Sequence, residues 1–177
     1  MDPYQIWREC FNLVFAGPGS TAAALTAIFF ELDSPHGRRW QERIRADLSA
    51  EAAPAGSSAV ILAVIEDTMR LHSPFPTAFP RVIAAGAETA IPDLAAPLPV
   101  GSLVAANTYV LGRLKEIWRD DADTWKPERW LGDEKGIKRL EDEFVVFSKG
   151  PRGCGGKEIA MLMMEKTVVG VLGGLAY

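Results

Sequence analysis

Apolar residues dominate the first thirty positions, where Ala, Leu, Phe and Ile follow one another with few charges, and this density predicts one long helix over 4–32. Its middle carries "AGPGST" (16–21). Pro18 removes a backbone donor and two glycines weaken the ladder, so a kink or local opening is expected there. "DSPHG" breaks the chain, and Trp40, Ile44 and Leu48 then recur at helical spacing with charges between them. "SAEAAPAGSS" reads as a linker, after which Ser57 or Ser58 caps a helix running to His72.

The texture changes at Ser73. Pro74, Pro76 and Pro80 forbid helix, and short β segments are predicted over 78–83, 88–91 and 103–110 within a β region spanning 73–112. Residues 119–146 read as a long irregular loop rich in Trp, Asp and Pro, the kind that is usually functional or packed against something. A glycine-rich stretch at 147–156 leads into a last helix over 155–175. The pattern is mainly α with a small β-sheet. The chain stops at Tyr177 directly after an apolar run, which is unusual for a terminus and suggests a piece of a larger unit.

Composition narrows the possibilities. With 177 residues, 48% hydrophobic and 24% charged, the chain has a globular composition. A net charge of −4 argues against nucleic acid as a partner. Two cysteines, Cys10 and Cys154, make no disulfide framework, and "MDPYQIWREC" lacks the basic start and apolar core of a secretory signal. No stretch holds about 18 uninterrupted apolar residues, because Glu165 and Lys166 break the C-terminal run. On these grounds the chain by itself reads as soluble and cytoplasmic.

"FSKGPRGCGGKEIA" (147–160) concentrates glycines, basic residues and Cys154. A phosphate-binding Walker loop fails at both ends, since Pro151 stands where its first glycine belongs and Glu158 where its hydroxyl belongs. A zinc site fails for want of ligands near Cys154. A single thiolate bound to haem iron needs one cysteine only. The start of a helix favours an anion there, and glycines let the backbone approach a flat macrocycle. A glycine-rich helix start with a buried cysteine is the plain alternative.

The stretch matches F-x-x-G-x-R-x-C-x-G at Phe147, Gly150, Arg152, Cys154 and Gly156. A chance match at five positions is on the order of 10⁻⁴ or less. The stretch resembles the haem-binding signature of the cytochrome P450 family. "DTMRLHSP" resembles that family's E-x-x-R helix, with Asp67 and Arg70 as the pair, and "WKPERW" its P-E-R-F segment, with Arg129 as third member. Asp67 stands where the family carries glutamate, so the pair is expected to close only with a backbone shift; Glu66 points about 100° away around the helix. "FAGPGST" resembles the oxygen-activating kink of the family's long helix, with Gly19 at the usual acid and Ser20 at the usual threonine, followed by Thr21. "FPTAFPRV" resembles the strand beside substrate and haem.

The resemblance implies the C-terminal part of the cytochrome P450 fold over 1–177. It implies haem b ligated by Cys154, flanked by Phe147, Gly150 and Gly156, with Arg152 and Arg81 on the propionates and Ser20 or Thr21 steering protons. It further implies a monooxygenase that takes electrons from NADPH through a reductase and places one oxygen atom in a small organic substrate. The fungal style of the match implies the cytosolic face of the endoplasmic reticulum membrane, with the family's membrane anchor absent from this chain. Two other readings stand beside it: a non-catalytic truncated remnant, and a cofactor-free helical interaction module.

Overall fold

The computed structural model describes residues 2–49, 58–77, 79–86 and 96–174. Helix α1 runs Pro3–Asp33. It starts where the Asp2 side chain accepts the Tyr4 N–H and Pro3, which lacks a donor, occupies the first turn. It stops where Ser34 turns extended and its hydroxyl donates to the Glu31 carbonyl at 2.6 Å. Contrary to the expected local opening, helical geometry continues through Pro18; the lost bond lies at a solvent-exposed position, where water can serve the freed carbonyl.

Helix α2, Arg38–Ser49, buries Trp40 and Ile44, with Leu48 packed at the edge of the same core. Helix α3, Ala59–Leu71, is the centre of the molecule. Ser58 caps it by accepting the Val60 N–H, while its own hydroxyl donates to Asp47 at the end of α2. One face of α3 (Ile61, Val64, Ile65) meets Ala24, Ile28 and Leu32 of α1, Trp40 and Ile44 of α2, and Met164 and Val168 of the last helix. The opposite face presents Ala63 to Trp118, Ala122, Trp130 and Leu140. Each such buried aliphatic side chain contributes about 1.5–3 kcal/mol.

The β region is smaller than expected. β1 (Arg81–Val82) pairs antiparallel with β2 (Leu103–Val104), Arg81 opposite Val104 and Val82 opposite Leu103. The strand expected over 103–110 ends early. The Asn107 side chain accepts the Val110 N–H and starts a helical turn, α4 (Thr108–Leu111), so a local cap outcompetes β-branched propensity. Of the strand expected over 78–83, Arg81–Val82 forms β1 and Ile83 continues with backbone bonds to Ser102 and Gly101; Ala78 and the expected strand over 88–91 lie outside the described residues.

The stretch expected to be a loop over 119–146 is partly ordered too. After α5 (Lys115–Trp118) come a 3₁₀ turn, Pro127–Leu131, and helix α6, Glu134–Glu143. Asp133 caps α6 by accepting the Gly136 N–H at 2.8 Å, and Leu140 anchors it. A second 3₁₀ turn, Gly150–Arg152, precedes the last helix, α7, Lys157–Leu172.

Membrane propensity also needs correcting. Uninterrupted apolar runs are short, but α1 holds an 18-residue window of mean hydropathy 1.6, long and apolar enough to cross a bilayer by length and composition. Here Thr21, Ala24, Ile28 and Leu32 of α1 are buried against the core, whereas Tyr4, Trp7, Phe11 and Phe15 form an exposed ladder of stacked rings.

Candidate cofactor site

The Cys154 loop is folded by its own backbone. Ser148 (φ 58°) and Gly150 (φ 68°) both adopt the left-handed conformation, which glycine takes at no steric cost. The Ser148 N–H donates to Val145, the Gly153 N–H to Gly150, and the Cys154 N–H returns to the Phe147 carbonyl at 2.8 Å. Cys154 therefore sits beside Phe147, two residues ahead of Gly156, the N-cap of α7. Lys149 ties the loop to α6 by donating to the carbonyls of Glu141 and Asp142 at that helix's C-terminal end.

The Cys154 thiol is exposed and free, correcting the alternative of a buried cysteine. Space is open beside Gly150, Gly155 and Gly156, though a Cβ at Gly153 would crowd the Gly150 carbonyl at 3.2 Å. A Cβ added at Gly150 or Gly155 would meet nothing within 4 Å, and one at Gly156 would meet only the Cys154 sulfur at 4.0 Å. Arg152 points to solvent, and Phe147 is packed against the main core with its ring 6.3 Å from that of Phe144.

Helix α3 also carries a buried polar network. Asp67 and Arg70 are fully buried. Arg70 Nε donates to Asp67 Oδ1 at 2.8 Å and Nη2 to Oδ2 at 3.2 Å. Nη1 donates to the carbonyls of Gly112 (2.7 Å) and Ala122, and Nη2 also to Thr124 (2.9 Å). All the N–H donors of a guanidinium are thereby used. The ring of Trp118 lies 5.0 Å from the guanidinium carbon. The expected backbone shift is not needed: α3 stays regular, because the long, flexible arginine moves to the shorter carboxylate. The missing methylene shows elsewhere. Arg129 Nε stops 3.8 Å from Asp67 Oδ1 and is buried without a hydrogen-bond partner. Arg129 is held instead by Asp121, whose carboxyl accepts from Nη1 at 2.7 Å, and by the Trp118 carbonyl at 2.8 Å. Lys126 and then Arg129 hold the Asp121 carboxyl down at about 2.

Glu66, one position earlier, lies outside this network. Burial and the nearby Glu141 push its carboxyl up to about 7, with Lys157 opposing. On α1, the Ser20 hydroxyl donates to the Ala16 carbonyl at 2.6 Å, whereas Thr21 is buried on the core side. Gly17 and Gly19 face open space. Arg81 is exposed, with Nη1 3.3 Å from the carbonyls of Phe79 and Pro80. Among the described residues no hydrogen bond or ion pair joins Ser20, Thr21 or Arg81 to the Cys154 loop. Pro74 and Pro76 line an open cleft of about 400 Å³ with Ala23, Ala27, His72 and Tyr109.

The family model described as Cytochrome P450 matches residues 1–173. The chain belongs to the cytochrome P450 family. Among its relatives are the cytochrome P450 monooxygenase mpaDE of Penicillium roqueforti, 33% identical over 89% of this chain and 20% of that protein. A cytochrome P450 monooxygenase of Aspergillus terreus is 32% identical over 94% of this chain and 35% of its own length. The alkane hydroxylase MAH1 of Arabidopsis thaliana is 32% identical over 92% and 32%. The chain thus spans between a fifth and about a third of these P450 relatives.

Several residues that shape this P450 region were not singled out from sequence. Trp125 donates its indole N–H to Thr68 Oγ1 at 2.9 Å, Trp118 to the Leu111 carbonyl at 2.8 Å, and Trp130 to Asp67 Oδ1 at 3.2 Å. The Lys126 amide donates to Asp67 Oδ2. The available signal was "WRDDADTWKPERW" itself: two tryptophans in the expected loop and a third, Trp118, just before it must bury three rings and satisfy three N–H donors.

Proposed function

We propose that this chain is the haem-ligand portion of a haem-thiolate monooxygenase, which inserts one oxygen atom from dioxygen into a small organic substrate using electrons delivered from NADPH by a reductase. The observation that carries the reading is a free, exposed thiol on a loop whose amide folds back to Phe147, flanked by open glycines. The donor set fits the group. Among the described residues no cluster of three or more His, Cys, Asp or Glu could hold a bare metal ion, while haem iron asks for one protein ligand. Cys154 would be that ligand. When bound, haem with a thiolate ligand supplies oxygen activation, the thiolate favouring O–O cleavage.

This chain's own residues have separate tasks in the proposal. With haem bound, Phe147 would shield the sulfur, which is exposed here, on one side. Gly150 and Gly156 keep side chains away from the ring, and Arg152 and Arg81, both exposed, are free to swing to the propionates. Of the two hydroxyls, Ser20 would be the one to steer protons, since Thr21 is buried on the core side; it would first have to release its bond to the Ala16 carbonyl. The Asp67–Arg70–Arg129 region holds the segment before the loop against α3. The reading is tested by titrating haem into the chain: stoichiometric uptake is expected, lost in Cys154→Ala while the far-UV circular dichroism is retained. Equal uptake by both would overturn the assignment.

A second reading, a non-catalytic remnant, is favoured by the exposed rings of Tyr4, Trp7, Phe11 and Phe15, an apolar face that an isolated chain leaves to solvent. Haem uptake without oxygen-dependent product formation in the presence of a reductase would favour it.

A further inference from the structure

We infer that Trp130 is a positioning residue that takes, on the Asp67 carboxylate, the place Arg129 cannot reach. Three donors converge on Asp67 Oδ1: Arg70 Nε at 2.8 Å, Trp130 Nε1 at 3.2 Å and Arg129 Nε at 3.8 Å. Only the first two are within hydrogen-bond distance. Arg129 Nε is left as a buried donor without a partner, because its Nη groups are anchored on Asp121 and Trp118. A carboxylate one methylene longer at position 67 would extend toward that donor. The side chain present is aspartate, and the indole N–H supplies the neutral donor that completes Oδ1. Trp130 is only 4% exposed, so water cannot substitute for this bond.

The same ring carries the bond's effect outward. Trp130 packs on Trp118 at 5.9 Å and edge-on to Phe144 at 5.4 Å, and Phe144 packs on Phe147 at 6.3 Å. Phe147 accepts the Cys154 amide. The chain of contacts Asp67–Trp130–Phe144–Phe147 fixes the base of the Cys154 loop relative to α3. This inference concerns the polypeptide and does not rest on haem binding.

A double-mutant cycle separates the N–H from the ring's bulk. Trp130→Phe removes the donor and also some volume; the volume loss is common to both backgrounds. Measured by urea denaturation, Trp130→Phe is expected to lower the folding equilibrium constant on the order of tenfold more in the parent than in the Asp67→Glu background, where Arg129 Nε serves the longer carboxylate. Equal losses in the two backgrounds would overturn the inference. Should a variant fail to fold, the parent chain still decides. With ¹⁵N-labelled tryptophan, the Trp130 indole N–H, assigned by its loss in Trp130→Phe, is expected to be protected from exchange alongside those of Trp118 and Trp125, and to shift in the isosteric Asp67→Asn variant. A Trp130 indole proton that exchanges as freely as a solvent-exposed one, or is unmoved by Asp67→Asn, would also overturn it.

Discussion

Arg70→Met tests the buried network most severely. The substitution keeps an unbranched apolar stem out to about the Nε position, but it removes the guanidinium and with it the donors that serve five acceptor contacts. What remains is a fully buried Asp67 carboxylate with only the Trp130 indole and the Lys126 amide, together with the Gly112, Ala122 and Thr124 carbonyls that Arg70 had served. Removing one partner of a buried ion pair costs about 3–5 kcal/mol. A domain of this size has a total stability of about 5–15 kcal/mol, so the variant should sit near its unfolding threshold. Urea denaturation followed by circular dichroism and by tryptophan fluorescence reads this directly, since Trp118 lies against the guanidinium. Arg70→Lys should recover little, because one compact ammonium cannot reach carbonyls spread around a planar fork. An Arg70→Met chain within about 1 kcal/mol of the parent would refute the reasoning, since the unpaired carboxylate alone should exceed that.

Three further outcomes follow from single positions. Gly112→Ala places a Cβ 2.2 Å from the Arg70 backbone carbonyl, so it should destabilise by about 1–3 kcal/mol in thermal denaturation, whereas Gly155→Ala, in open space, should be near neutral. Glu66 has its carboxyl raised from 4.5 to about 7, so its contribution is fully present below pH 4.5 and lost as pH rises through about 7. Glu66→Gln should therefore gain up to about 3 kcal/mol on the parent at pH 8 and nothing near pH 4, as read by urea denaturation at the two pH values. Asp121 is shifted the other way, from 3.8 to about 2, so its stabilisation is present above pH 3.8 and lost as pH falls toward about 2. Asp121→Asn should lose stability at pH 7, with a gap to the parent that closes in acid.

The helices were legible where start signals and apolar period agree. Ser58 capping α3 and the Trp40–Ile44–Leu48 stripe of α2 lie where the sequence predicts. Helix α6 was not legible, because eight of its ten residues are charged or glycine and only Leu140 is buried; its signal was the Asp133 cap. The strands were overestimated because β-branched residues around Leu103–Val110 speak for strand locally, while the Asn107 cap and the docking of Thr108 onto Ser73 and Phe75 decide otherwise. Within the candidate site, the Phe147–Gly156 loop could be read from residue types because its glycines and cysteine are adjacent in sequence. The Asp67 network could not, because its geometry depends on where Asp121 holds Arg129 and on which indole reaches Oδ1. Sequence spacing assigns the methylene deficit to the Asp67–Arg70 pair; the folded chain places it at Arg129.

The central claim, that Cys154 is the thiolate ligand of a haem, is tested most directly by the ferrous–carbon monoxide spectrum of the haem-loaded chain. A red-shifted Soret band typical of thiolate ligation, abolished in Cys154→Ala and retained in Cys10→Ala, is the predicted result. A band at the position of neutral-ligand haems, or one indifferent to Cys154→Ala, would contradict it.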